Sequence, residues 1–171
     1  MKKILILLCG LIIILASFKN KDEQNIILNQ DSIRLRIISN SNDEVDINTK
    51  MNLKNHLEDY LFDLIKDANS KEEVDNIIEN NFENINLYIN KYLNTNNYKL
   101  DYGLNYFPKK IYKGVVYQEG MYKSLVITLG NGYGKNWWCV LFPPLCLLED
   151  NSNTTDVEYK LLISRIIDSF N

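Results

Sequence analysis

Few residues in this chain could do chemistry. His56 is the single histidine, and the three cysteines are Cys9, Cys139 and Cys146. One imidazole excludes every zinc site that needs two. The run between Cys139 and Cys146 is also longer than the roughly two to four residues that separate ligands in a metal-binding knuckle. A nucleophilic pair of Cys139 with His56 is conceivable. Yet His56 borders the apolar stripe of a helical pattern, among Asn and Lys, as an ordinary boundary residue does. Asp43, Glu44 and Asp46 cluster at a helix start, where interaction with the helix dipole accounts for them. The regular alternation of oxygen ligands with a glycine that calcium requires is absent. Gly130-Asn-Gly-Tyr-Gly134 joins two strand patterns, whereas phosphate cradles lead into a helix N-terminus. The expectation is a non-enzyme with no metal and no cofactor.

The residues that remain are suited to recognition. Gly132 to Cys146 holds both tryptophans, two of the three cysteines and two of the three prolines. A solvated loop would not carry so much aromatic surface, and a regular strand would not tolerate Pro143-Pro144 in its middle. The segment reads as a glycine-rich turn, a short buried strand from Trp137 to Phe142, and an enforced chain reversal. One parity of that strand joins Trp137, Cys139 and Leu141; the other joins Trp138, Val140 and Phe142. Both sets are apolar, so the strand is either covered on both faces or presents one aromatic set for docking. The candidate contact surface is Gly134, Lys135, Asn136, Trp137 and Trp138, with Arg34, Arg36 and Asn40 as neighbours. Tryptophan anchors interfaces, and side-by-side arginines can bind a partner's carboxylates; Arg34 and Arg36 read equally well as a solvated outer face. Pro143-Pro144 can bring Cys139 and Cys146 within reach of each other, which leaves a disulfide or two buried free thiols as alternatives.

The periodicities supply a scaffold for these residues. Ile33-Arg-Leu-Arg-Ile37 alternates as a half-buried strand. Ser41-x-x-Glu44 matches a capping box, and Leu53, Leu57, Tyr60, Leu61, Leu64 and Ala68 recur at helical spacing, predicting a helix over 43–66. Ser70-x-x-Glu73 repeats the signal before a second stripe of Val74, Ile78, Ile85, Tyr88 and Tyr92, and the two helices should pack antiparallel. From Tyr98 the period is two, with strands over 98–107, 111–117, 122–129 and 137–142. Asn131-Gly132 suits a tight hairpin turn between the last two. Thr155-x-x-Glu158 caps a final helix. The predicted class is α+β: an antiparallel sheet of about five strands, largely a meander, with two or three helices packed on one face.

Lys2-Lys3 followed by apolar Ile4 to Ala16 reads as a signal peptide or retained N-terminal anchor over residues 1–18. The positive-inside rule places the chain beyond Lys19 outside the cytoplasm. Residues 19–30 read as a polar tether and 31–171 as a single domain. The net charge of −3 comes with no basic patch, so nucleic acid is not an expected partner, and membrane contact is expected only through the N-terminal segment.

Several blocks, in order, resemble the stage II sporulation protein R family. They are Ile33-Arg-Leu-Arg-Ile-Ile-Ser-Asn-Ser41; Phe107-Pro-Lys109 through Tyr112 and Gly114 to Tyr117; Gly120, Tyr122 and Leu125; Gly130-x-Gly132-x-Gly134; and Asn136-Trp-Trp-Cys-Val-x-Phe-Pro-Pro-Leu-Cys146. Gln118-Glu119 and Asn42 to Ile47 depart from the family pattern at a turn and a helix start. The resemblance implies a protein exported from the forespore to the intermembrane space. There it is required to activate a membrane-embedded aspartic-type protease on the mother-cell side, which processes the sigma-E precursor. A cell-envelope hydrolase, or a peptidoglycan- or lipid-binding module, is the alternative reading of the residues.

Overall fold

The apolar island inside the expected tether, Ile26–Leu28, is itself a strand, β1. The structure, a computed structural model, describes residues 26–28, 31–112, 115–145, 163–166 and 168–169, with the backbone alone for 26–28. The N-terminal segment 1–18 and the start of the final helix lie outside the described residues.

Alternation in Ile33–Ile38 produces β2, with Ile33, Leu35 and Ile37 fully buried on one face. Helix α1 (Glu44–Ile65) buries Leu53, Leu57, Leu61 and Ile65, one residue per turn. Helix α2 (Lys71–Asn80) adds Val74 and Ile78, and α3 (Phe82–Leu93) adds Ile85 and Ile89. These side chains close over Ile33, Leu35, Ile37, Leu125, Ile127 and Leu129 of the sheet. Each full burial of this kind contributes roughly 1.5–3 kcal/mol.

The stripe predicted as one second helix is broken at Asn81. Its side-chain amide donates to the Ile77 carbonyl at 2.8 Å, and its backbone sits at φ −105°, ψ 9°. Side-chain competition for backbone groups is the physical cause of such a break. Ser70 caps α2 as expected, accepting from the Glu73 N–H, while the Glu73 carboxylate accepts from the Asn69 N–H at 2.8 Å. The capping box predicted at Ser41 does not form. Ser41 Oγ accepts from the Asp43 N–H at 3.0 Å, and Asp43 takes the N-cap position without a side-chain bond.

The α+β class holds, but the sheet is mixed rather than antiparallel. Strands β3 (Tyr98–Phe107), β6 (Gly120–Leu129), β2 and β7 (Asn136–Phe142) lie in the order β3-β6-β2-β7. β2 pairs parallel to β6 and antiparallel to β7. Parallel neighbours need a long crossover, and the three helices between β2 and β3 provide the length. β2 therefore separates β6 from β7, so Asn131-Gly132 is not a hairpin turn: the loop carries the chain across the end of β2.

The predicted strand over 111–117 is split into β4 (Lys110–Tyr112) and β5 (Val115–Tyr117), which pair antiparallel with each other. With β1, parallel to β5, they form a second, three-stranded sheet. Val115 of this sheet meets Val140, Leu145 and Ile163 on the side of the main sheet away from α1–α3. Residues 163–166, which are helical, thus lie on that second side rather than with the other helices.

Candidate functional site

Register fixes what stands on the second face. Arg34 is opposite Ser124 on β6 and Val140 on β7, and Arg36 is opposite Val126 and Trp138. Because Ile33, Leu35 and Ile37 point to the helices, both arginines must point away. There they interleave with aromatic rings. The Arg34 guanidinium carbon lies 3.3 Å from the Tyr122 ring centre and 5.3 Å from that of Phe107. Arg36 lies 5.1 Å from Phe107 and 5.2 Å from Trp138, and Lys110 Nζ lies 5.8 Å from Trp138. The Phe107 ring meets Tyr122 and Trp138 edge-on, at 5.9 and 5.0 Å. The result is a ladder: Tyr122, Arg34, Phe107, Arg36, Trp138, Lys110.

Sequence alone allows the arginines to be a solvated face or a partner's anchor, and the solvated reading fails for Arg34, which is 3% exposed. Its Nε donates to Ser32 Oγ at 3.3 Å and one Nη to the Gln118 carbonyl at 3.4 Å. Burial holds its pKa below the ordinary guanidinium value, opposed by Tyr122 and Tyr117. Arg36 is depressed by burial too; one Nη donates to the Tyr106 carbonyl at 3.3 Å, while its buried Nε has no hydrogen-bond partner among the described residues. Among the described residues neither arginine, nor Lys110, forms an ion pair.

Beside the ladder opens a pocket of about 370 Å³, between β7 and the small sheet. Arg34, Phe107, Lys110, Tyr117, Trp138 and Val140 contribute to its walls, and no carboxylate does among the described residues. Phe107, Lys110 and Tyr122 are not singled out as site residues by the sequence. Their presence in the family-like blocks is the available signal, but only strand register shows that they converge on Arg34.

The other predicted contact residues divide between this pocket and a loop junction. Trp138 belongs to the ladder, whereas Trp137 leans on the helix-side core with Lys54 Nζ 5.3 Å from its ring centre. Asn136 is exposed at the pocket rim. Lys135 is exposed, but its N–H donates to Asn42 Oδ1 at 2.9 Å and its carbonyl accepts from Lys50 Nζ at 2.8 Å. Asn40 is occupied on both sides of its amide. Oδ1 accepts from the Asn131 N–H at 2.9 Å, and Nδ2 donates to Asp46 at 2.8 Å. Gly134 donates to the Ser39 carbonyl at 2.9 Å; a Cβ there would collide with the Ser41 carbonyl oxygen and lie 2.6 Å from Ser39 Oγ. Asn40 and Gly134 thus hold the loop across the end of β2.

Cys139 is buried and disulfide-bonded, so it cannot act as a nucleophile with His56, which sits exposed on α1 against Tyr92. Cys146 lies outside the described residues. Among the described residues, no three His, Cys, Asp or Glu side chains are placed to hold a metal ion, and no helix is long and apolar enough to cross a membrane.

With ladder and pocket in place, the chain can be compared with known proteins. It belongs to the stage II sporulation protein R family, whose model matches residues 29–152, a range that includes every ladder residue. That makes it a sporulation protein. It is similar to the stage II sporulation protein R of Bacillus subtilis (strain 168), at 63% identity over 43 residues. The aligned stretch covers 25% of this chain and 19% of that protein. No solved structure matches the chain.

Proposed function

We propose that this chain is an exported, non-catalytic sporulation signal. In this reading it acts outside the cytoplasm, in the space between forespore and mother cell. It activates by contact a membrane-embedded aspartic-type protease that processes the sigma-E precursor. The face bearing Trp138, Lys110 and Asn136 is the contact surface. The observation that carries this reading is a buried arginine with no ion-pair partner among the described residues, beside an open aromatic pocket. Desolvating a guanidinium without a counter-charge costs stability, so the fold alone gives no reason to keep it. Family membership and the signal-like residues 1–18 support the location and the pathway.

The test adds the purified chain to membranes carrying the protease and follows precursor cleavage. Unaltered protein should trigger cleavage; Asn136→Ala should reduce it at unchanged melting temperature, and Trp138→Ala should reduce it by more than its small loss of stability explains. Cleavage that tracks only the stability of each variant would place the contact elsewhere. Turnover of peptidoglycan by the purified chain would instead favour the hydrolase.

A further inference from the structure

We infer that the pocket beside Trp138 receives an acidic peptide segment of the partner. One carboxylate meets Arg34 and Lys110, and a neighbouring apolar side chain fills the aromatic part. The inference rests on the signalling reading for the occupant being a protein; the chemistry of the occupant comes from the pocket.

Charge is the first argument. Buried cations are ordinarily paired, and among the described residues buried Arg34 forms no ion pair, nor does exposed Lys110 at the pocket mouth. The hydrogen bonds of Arg34 come from Nε and one Nη, which leaves a second Nη without a partner among the described residues in a group that lines the pocket. Phe107, Trp138, Tyr117 and Val140 line the same pocket. Apolar walls lower the local dielectric and strengthen a charge-assisted bond to guanidinium. A bound carboxylate would supply a counter-charge that none of the described residues supplies and use both of its oxygens.

Shape decides between sources of the anion. A lipid surface engages exposed clusters of basic side chains. Arg34 is recessed at 3% exposure, so only a group projecting from its own chain can reach it. A volume of about 370 Å³ accepts one or two side chains. One free guanidinium nitrogen and one ammonium also suit a carboxylate better than a phosphate with three anionic oxygens.

The Trp138 ring stands at the pocket, so intrinsic fluorescence of the full chain reports occupancy. The probes are acetylated, amidated Leu-Asp-Leu and Leu-Glu-Leu, their Asn and Gln counterparts, inorganic phosphate, and phosphatidylglycerol vesicles. The acidic peptides should give a saturable change, with the neutral ones weaker by roughly tenfold. Lys110→Glu, at an exposed strand position, should weaken acidic-peptide binding by a similar factor without moving the melting temperature. Equal binding of neutral and acidic peptides, or no saturable change with either acid, overturns the inference. So does a Lys110-dependent response to vesicles or phosphate that the peptides do not share. The protease assay separates this from the signalling reading. If Lys110→Glu loses peptide binding yet triggers cleavage fully, the pocket chemistry stands and its use in signalling falls. If acidic peptides bind but the unaltered chain never triggers cleavage, the signalling reading fails on its own.

Discussion

The Arg34 guanidinium lies flat enough on Tyr122 to bring its carbon 3.3 Å from the ring centre, while the Tyr122 hydroxyl donates to the Gln118 carbonyl at 2.9 Å. Gln118 also accepts from Arg34, so strand β2 and the approach to β6 are joined through one carbonyl. Stacking of this kind contributes about 0.5–2 kcal/mol, which falls short of the cost of burying an unpaired cation. Arg34→Met should therefore leave stability within about 1 kcal/mol of the unaltered protein, because the stem volume is kept and the charge is removed. Arg34→Ala opens a cavity and should cost roughly 2–4 kcal/mol. Urea unfolding midpoints check both. Equal losses for Met and Ala would make Arg34 a structural residue.

The two tryptophans should separate by face. Trp137 adjoins the helix-side core, so Trp137→Ala should lower stability by about 2–4 kcal/mol. Trp138 stands on the open side, half-buried, and Trp138→Ala should cost less while removing the wall shared by Arg36 and Lys110. Thermal melts beside the cleavage assay decide it; a reversed order of stabilities would contradict the register.

What the sequence could reveal here was local. Alternation in Ile33–Ile37 and the leucine spacing of α1 gave faces and elements because each depends on neighbours a few residues away. The position of β2 between β6 and β7 depends on contacts between residues some ninety positions apart, such as Arg34 with Ser124, and no periodicity records them. Alternation likewise showed that Arg34 faces away from Leu35, but not that Tyr122 and Phe107 cover it. Asn81 was hidden for another reason: in a chain rich in asparagine, the one that breaks a helix carries no distinguishing mark.

The loop junction should show itself in acid. Hydrogen bonds from Ser41 and Asn40 hold the Asp46 carboxyl below its ordinary pKa. A carboxyl depressed in the folded state adds stability that is complete above its unfolded value of about 3.9 and fades as pH falls through the folded value. Asp46→Asn should lower the melting temperature in the neutral region, by a difference that shrinks as pH falls below about 4, so that the variant's profile is flatter in acid. A profile as steep as the original would show that Asp46 contributes no such linkage.

Gly134→Ala should be the most damaging small substitution in the glycine-rich loop, since the added carbon meets backbone at Ser41 rather than a side chain that can turn aside. A loss of roughly 2–4 kcal/mol is expected, against well under about 1 for Ala at exposed Asn136. Chemical denaturation of the two variants supplies the comparison; a Gly134→Ala protein as stable as Asn136→Ala would mean that the loop does not depend on the close approach to Ser41.

Cys139 is disulfide-bonded. After Phe142 the chain reverses through Pro143 and Pro144, and the Leu145 N–H donates to the Val140 carbonyl at 3.2 Å. That reversal brings the chain back beside Val140 one residue before Cys146, which makes Cys146 the expected partner of Cys139. Closing so short a loop stabilises the fold by roughly 2–3 kcal/mol through the unfolded chain. Protein lacking residues 1–18, and with them Cys9, should take up no alkylating reagent before reduction and two equivalents after it, read as intact mass. Cys139→Ser and Cys146→Ser should lower stability by similar amounts, and the double variant should lose no more than either alone, because the first substitution already opens the loop. Two alkylated thiols in exported, unreduced protein would rule the pairing out.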